Sequence, residues 1–276
     1  MSPRGARFEF GKNWSRFLKV LDDERIEEAR RGLQRMLGIE SLEGKTFLDI
    51  GSGSGLSSLA ARSLGARRVV SFDYDGRSVA CTEELRRRYF PEDARWQVSS
   101  GDALDGDFLE GLGTFDIVYS WGVLHHTGDL WRALENVHPL VAEDGRLFLA
   151  IYNHQVYWSR INLWMKRAYV ALPGPTKALI AGPYILAKLL RGLVKDLVLL
   201  RNPLKRFRDK KKARGMSTWH DWIDWVGGYP FQVARPEQIF DFYRDRGFTL
   251  TALKTCGGGH GCNEYVFHKR TAGGAG

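Results

Sequence analysis

The stretch that decides the fold is Phe47-Leu-Asp-Ile-Gly-Ser-Gly-Ser-Gly-Leu-Ser57. The apolar run Thr46–Ile50 feeds three glycines at alternate positions, Gly51, Gly53 and Gly55, and an amphipathic stretch over 56–64 opens directly behind them. A strand, a sharp turn and a helix N-terminus therefore follow one another without a break. Glycines at such a turn let a ligand come close to backbone amides, which favour anionic groups. A dinucleotide loop spaces its glycines as GxGxxG; here residue 56 is leucine and the spacing is GxGxG. Asp49, inside the strand, is a poor neighbour for a pyrophosphate. It suits a ligand that carries both an ammonium group and a carboxylate.

Outward from this turn, short apolar runs alternate with helical patterns up to residue 151, as in a parallel sheet with crossover helices. Further strands are expected at 68–72, 95–98, 115–120 and 146–151, with helices over 77–89 and 130–141. One or two helices over 14–37 precede the block. After it, residues 152–235 break the rhythm with many Trp and Tyr and long helical patterns. A helix at 236–246, with proline at its start, and two strands at 248–255 and 263–269 close the chain. The organisation expected is an N-terminal helical lid (1–40), a ligand-binding core (41–152), a helical insertion (153–235), and a closing helix and hairpin (236–270).

Three further segments accompany the glycine turn. Val69-Val-Ser-Phe-Asp73 ends the second strand in an acid twenty-two residues after Gly51, where a doubly wound sheet holds a ribose diol. Asp102 and Ala103 follow the third strand in a polar turn suited to an exocyclic amine and a ring nitrogen. The fourth strand runs into Trp121-Gly-Val-Leu-His-His126, two histidines at the sheet edge where ligands bind. With these four elements in order, the chain resembles the class I S-adenosylmethionine (SAM)-dependent methyltransferases. It is most similar there to the subgroup containing ubiquinone/menaquinone-type and other small-molecule methylases.

The resemblance covers residues 45–151 well and the closing elements loosely. It implies an α/β fold: a doubly wound, Rossmann-like seven-stranded sheet with an antiparallel last strand, N-terminal helices and a helical insertion after strand 5. It also implies SAM as cofactor. Asp49, Gly51, Gly53 and Gly55 would hold its methionyl end, Asp73 its ribose, and Tyr74 would flank the adenine. Asp102 and Ala103 would read the adenine edge, with Trp121 nearby. Asn13 and Trp14 would close the cleft, although Trp14 reads equally well as a staple for the first helix.

Transfer to an oxygen is served by a base, and His125 and His126 stand at the right edge, with His220 as a rival. Tyr152, Asn153, His154, Asp221, Asp224, Trp225 and Tyr229 are candidates for substrate contact. The rim lacks the carboxylates that an octahedral magnesium site needs, so no metal is expected. The function expected is methyl transfer, without metal, to an oxygen of a small molecule that is aromatic, quinoid or sugar-like.

Charge and cysteine content bound the alternatives. The chain of 276 residues is 43% hydrophobic and 26% charged, which excludes a disordered or coiled-coil chain. Its net charge of +9 is concentrated: residues 201–214 hold eight basic residues and one acid. An RNA methyltransferase using that patch, or a SAM-binding partner without turnover, are the competing readings; nucleic acid is the less favoured partner. Residues 176–214 fit a substrate lid, a homodimer surface, or a face lying on an anionic membrane. Three cysteines without a CxxC spacing, and no signal-peptide core, lead to the expectation of a cytoplasmic enzyme.

Overall fold

The computed structural model describes Phe8, residues 10–199, Asn202 and residues 225–271. Seven strands form one sheet in the order β3-β2-β1-β4-β5-β7-β6. They are β1 (Thr46–Ile50), β2 (Arg68–Asp73), β3 (Trp96–Ser100), β4 (Phe115–Trp121), β5 (Val141–Tyr152), β6 (Phe248–Lys254) and β7 (Cys262–Lys269). The first five strands pair in parallel, and β7 runs antiparallel to both β5 and β6. The chain reverses its strand order between β1 and β4, which opens a crevice at the carboxyl edge.

Helices cover both faces. On one side lie α1 (Gly11–Phe17), α2 (Asp23–Leu37), α3 (Leu56–Ser63) and α4 (Gly76–Tyr89). Phe47, Val69, Leu59, Leu85 and Trp96 fill the layer between them and the sheet. On the other side lie α5 (Gly106–Leu112), α6 (Leu130–Val137) and, near the end of the chain, α9 (Pro236–Arg244). Leu48, Ile50, Val118, Leu134 and Tyr243 fill that second layer. Between β5 and α9 the insertion contributes α7 (Trp158–Ala171) and α8 (Ala178–Val198).

The helix ends follow their caps. Asp22, Asp75, Asp105 and Asp129 each accept a backbone N–H of the first turn, which satisfies one of the donors that helix geometry leaves orphaned. The expected helix over 130–141 ends at Val137, because Pro139 cannot continue it; His138–Leu140 forms a single 3-10 turn instead. β5 starts five residues earlier than the alternation predicts, its first part bent by a positive φ at Asp144. β1 is pinned to β4 at its start, where the Asp116 carboxylate accepts both the Thr46 N–H and its hydroxyl.

Candidate active site

The glycine turn is the first of three segments that meet at the carboxyl edge. Gly51, Gly53 and Gly55 have φ of +75°, +56° and +80°, a region that side chains disfavour. The space a side chain would need is also taken. A Cβ at Gly51 would stand 2.4 Å from Val123, one at Gly55 2.8 Å from the Thr82 backbone, and one at Gly53 3.0 Å from the Trp14 indole.

Asp73 ties this turn to β2. Its carboxylate accepts the N–H of Gly53 and that of Asp75, both at 2.9 Å. Burial raises its pKa above the ordinary carboxylate value, and the two amide bonds pull the other way. Asp102 accepts the Leu104 N–H at 2.9 Å, and the Asp102–Ala103 turn sits at the end of β3 with Ala103 buried. Tyr74 is exposed beside Asp73.

Asp49 differs from its expected role. It is 1% exposed and faces α3, where Ser58 Oγ donates to Oδ2 at 2.5 Å. Ser58 shares a hydrogen bond with Ser71, which in turn accepts from the Trp96 indole. Burial pushes the Asp49 carboxyl up to about 7, with the Asp73 charge adding to the rise and Ser58 opposing it. The carboxyl is enclosed, with its hydrogen bond made to Ser58 of α3.

Trp121 is also placed differently. It lies beside Leu56, Ser57, Tyr119 and Phe148 in a hollow of about 560 Å³ walled by α2. Its indole N–H donates to Glu264 at 3.3 Å. None of the three glycines of the turn has Trp121 among its nearest neighbours.

The N-terminal segment roofs the crevice. Trp14 rests on Gly53 and also meets Phe17 edge-on at 6.1 Å. Asn13 is buried in the same helix. One turn earlier the Phe10 ring is 5.1 Å from His126, and the Phe8 N–H donates to the Tyr229 carbonyl at 3.0 Å. Among the described residues of the region expected as a lid, α1 lies over the turn, and α2 packs on α3 with Leu33 and Leu37 in the core.

The third segment is a nest of rings behind the histidine pair. His125 is fully buried, 4.4 Å from the His126 ring and 4.0 Å from Tyr152. Neither of its ring nitrogens has a hydrogen-bond partner. His126 is half-buried, and its Nδ1 donates to the Pro230 carbonyl at 2.6 Å, since a carbonyl can only accept. That bond leaves Nε2 as the lone-pair nitrogen. Burial, reinforced by the Lys166 charge, lowers the pKa of His126 to about 3. Burial, with His126 and Lys166 adding to it, holds His125 well below the ordinary imidazole value. Both imidazoles are neutral at ordinary pH.

Lys166, on α7, is completely buried. Its ammonium donates to the Trp225 carbonyl and lies 4.7 Å from the Trp225 ring, 4.9 Å from Phe231 and 5.9 Å from Tyr152. A buried charge costs free energy unless it is compensated, and here aromatic faces and a carbonyl compensate it. The Trp225 indole N–H, buried in the same nest, has no partner. Sequence reasoning missed Lys166, because one lysine in a helix with two arginines reads as a solvated face. The available signal was the i, i+3, i+7, i+10 spacing of Ser159, Asn162, Lys166 and Tyr169, all of them on the buried side.

The remaining candidates line the rim. Asn153 accepts from Asn263, which links β5 to the glycine-rich 256–261 loop, and the His260 ring of that loop is 5.4 Å from Trp225. His154 is exposed, its backbone N–H donating to Ala234. The Tyr229 ring is 6.0 Å from the Arg167 guanidinium. His220, Asp221 and Asp224 lie outside the described residues, as does the basic stretch apart from Asn202. Among the described residues no cluster of His, Cys, Asp and Glu is placed to hold a metal, and no helix is long and apolar enough to cross a membrane.

A family model described as a methyltransferase domain matches residues 21–244. The ribosomal protein L11 methyltransferase of Thermotoga maritima is 38% identical over 108 residues, covering 39% of this chain and 37% of that protein. The chain thus spans well under half the length of the curated relative. The crystal structure of magnesium protoporphyrin IX methyltransferase from Synechocystis PCC 6803 with bound SAH superposes with a TM-score of 0.53 at 13% identity, over 94% of this chain and 93% of that one. The same enzyme with bound SAM gives 0.50 at 12% identity, over 89% and 80%. These likenesses show the fold.

Proposed function

The chain belongs to the methyltransferase-domain family, which draws its methyl group from S-adenosylmethionine, and from that premise we propose that it methylates an oxygen of a small acidic acceptor held among His125, His126, Tyr152 and Lys166. The residues present fit the donor. Three glycines keep the turn free of side chains, Asp73 presents a buried carboxylate at the end of β2, and Asp102 and Ala103 close the end of β3. When bound, S-adenosylmethionine supplies a methyl carbon activated by a sulfonium.

The chain's own task is to hold an acceptor oxygen in line with that carbon in a place without water, which is where most of the rate advantage of such a displacement arises. The observation that carries the reading is the fixed tautomer of His126 beside a buried ammonium. With Nδ1 committed to Pro230, Nε2 can accept the acceptor's proton or orient its oxygen. A nitrogen with so low a pKa is a weak base, so an acceptor that already gives up its proton readily is favoured. Lys166 stabilises the oxyanion that results. Phenols, quinols and enols meet that condition better than sugar alcohols. The aromatic walls of Tyr152, Trp225 and Phe231 suit a flat ring.

The test is to incubate the protein with radiolabelled S-adenosylmethionine and panels of phenols, hydroquinones and sugars. Label on the phenolic or quinol panel, lost in His126→Ala, supports the reading; label on sugars alone contradicts it. A second reading, a protein acceptor, is favoured by the partial identity with ribosomal protein L11 methyltransferases. It predicts label in the macromolecular fraction instead.

A further inference from the structure

We propose that the outward faces of α7 and α8 dock this chain on the surface of a lipid bilayer rich in anionic headgroups. The two helices are built inside out. On α7 the buried residues are Ser159, Asn162, Lys166 and Tyr169, while Trp158, Ile161 and Trp164 face outward, Trp164 at 73% exposed. On α8 the buried set includes Gly192 and the acid Asp196, while Leu179, Leu186, Leu190, Leu193 and Leu197 are exposed along one face at steps of seven, four, three and four. A helix that packs only on its own domain turns such leucines inward. Scattered apolar residues on a surface need no partner, but a continuous stripe next to exposed tryptophans does.

Charge selects the occupant. Residues 155–214 carry fifteen basic residues and two acids, a net of +13, which leaves the other 216 residues at −4. Of the two acids, Asp196 is buried and Asp209 lies within the basic 201–214 stretch. Exposed leucine and tryptophan on helices that also carry lysine and arginine is the composition that settles in the headgroup region, each cation adding attraction to an anionic leaflet. A second copy of the chain would set one net-positive pair of helices against another, which repulsion opposes. Nucleic acid would use the cations but offers the leucine stripe nothing. α7 presents Lys166 to the ring nest on its inner side, so the docked surface backs directly onto that nest.

Flotation of the full chain with phosphatidylcholine vesicles, with and without phosphatidylglycerol, tests the proposal. Binding at least about tenfold stronger to the anionic vesicles is expected, weakening as salt is raised. The double variant Leu190→Glu, Leu193→Glu lies on the exposed stripe, so it should keep the wild-type circular dichroism and thermal midpoint while losing flotation. Three results would overturn the proposal. One is absence of binding to either vesicle. Another is equal binding of wild type and variant. The third is a concentration-dependent dimer in sedimentation velocity that the variant abolishes while vesicles stay unbound.

Discussion

The indole of Trp14 lies on the backbone of Gly53, so close that a Cβ at that glycine would stand 3.0 Å from its ring. One helical turn before it, Phe10 covers His126. The N-terminal segment therefore roofs the turn assigned to the donor and the histidine assigned to the acceptor together, and Gly11 is anchored beside them by an N–H bond to Asp75. Opening this roof for one ligand opens it for the other, which places donor and acceptor under a single cover.

Asp73→Ala should weaken S-adenosylmethionine binding by about a hundredfold, because it removes the carboxylate assigned to the ribose and the acceptor of the Gly53 amide. Titration calorimetry checks this. An unchanged affinity would remove Asp73 from the donor site.

Asp49 gives a stability signature. Its folded pKa of about 7 lies above the ordinary 3.8, so between those values the folded chain holds a proton that the unfolded chain has released. The stabilisation that this proton brings is complete below pH 3.8 and is lost as pH rises to about 7. Asp49→Asn should remove that slope, gaining between about 1 and 4 kcal/mol on the wild type across the window. Urea unfolding of both proteins at a series of pH values measures it, and parallel curves would contradict the assignment.

His126 should leave no imidazole titration in the rate. With its pKa near 3, the ring is already neutral well below the usual 6.5, so kcat/KM should not fall through that pH on its account. A limb with a midpoint near 6.5 that disappears in His126→Ala would show a more solvated ring than the Pro230 bond and the Phe10 cover produce.

Much of the fold around the glycine turn was legible in the chain because it is local. The turn, the acid at the end of β2 and the polar turn after β3 each lie within a few residues of a strand end, and alternation alone locates those ends. The ring nest proposed for the acceptor is assembled from distant segments. Lys166, Tyr152, Trp225 and Phe231 come from α7, β5 and the residues before α9, and the spacing of Ser159, Asn162, Lys166 and Tyr169 marks one face of α7 without showing which segments that face meets. Asp49 was misplaced for a related reason: strand alternation sets which face a residue takes, and only α3, folded onto that face, shows that Ser58 encloses it.

The measurement that bears most directly on the account is methyl transfer by Lys166→Met, a variant close in volume that removes the buried charge without leaving a cavity. The donor's affinity should match the wild type by calorimetry, while label transferred to a phenolic or quinol acceptor falls by at least about a hundredfold. Transfer at the wild-type rate in a variant that binds the donor normally would show that the acceptor oxygen sits elsewhere.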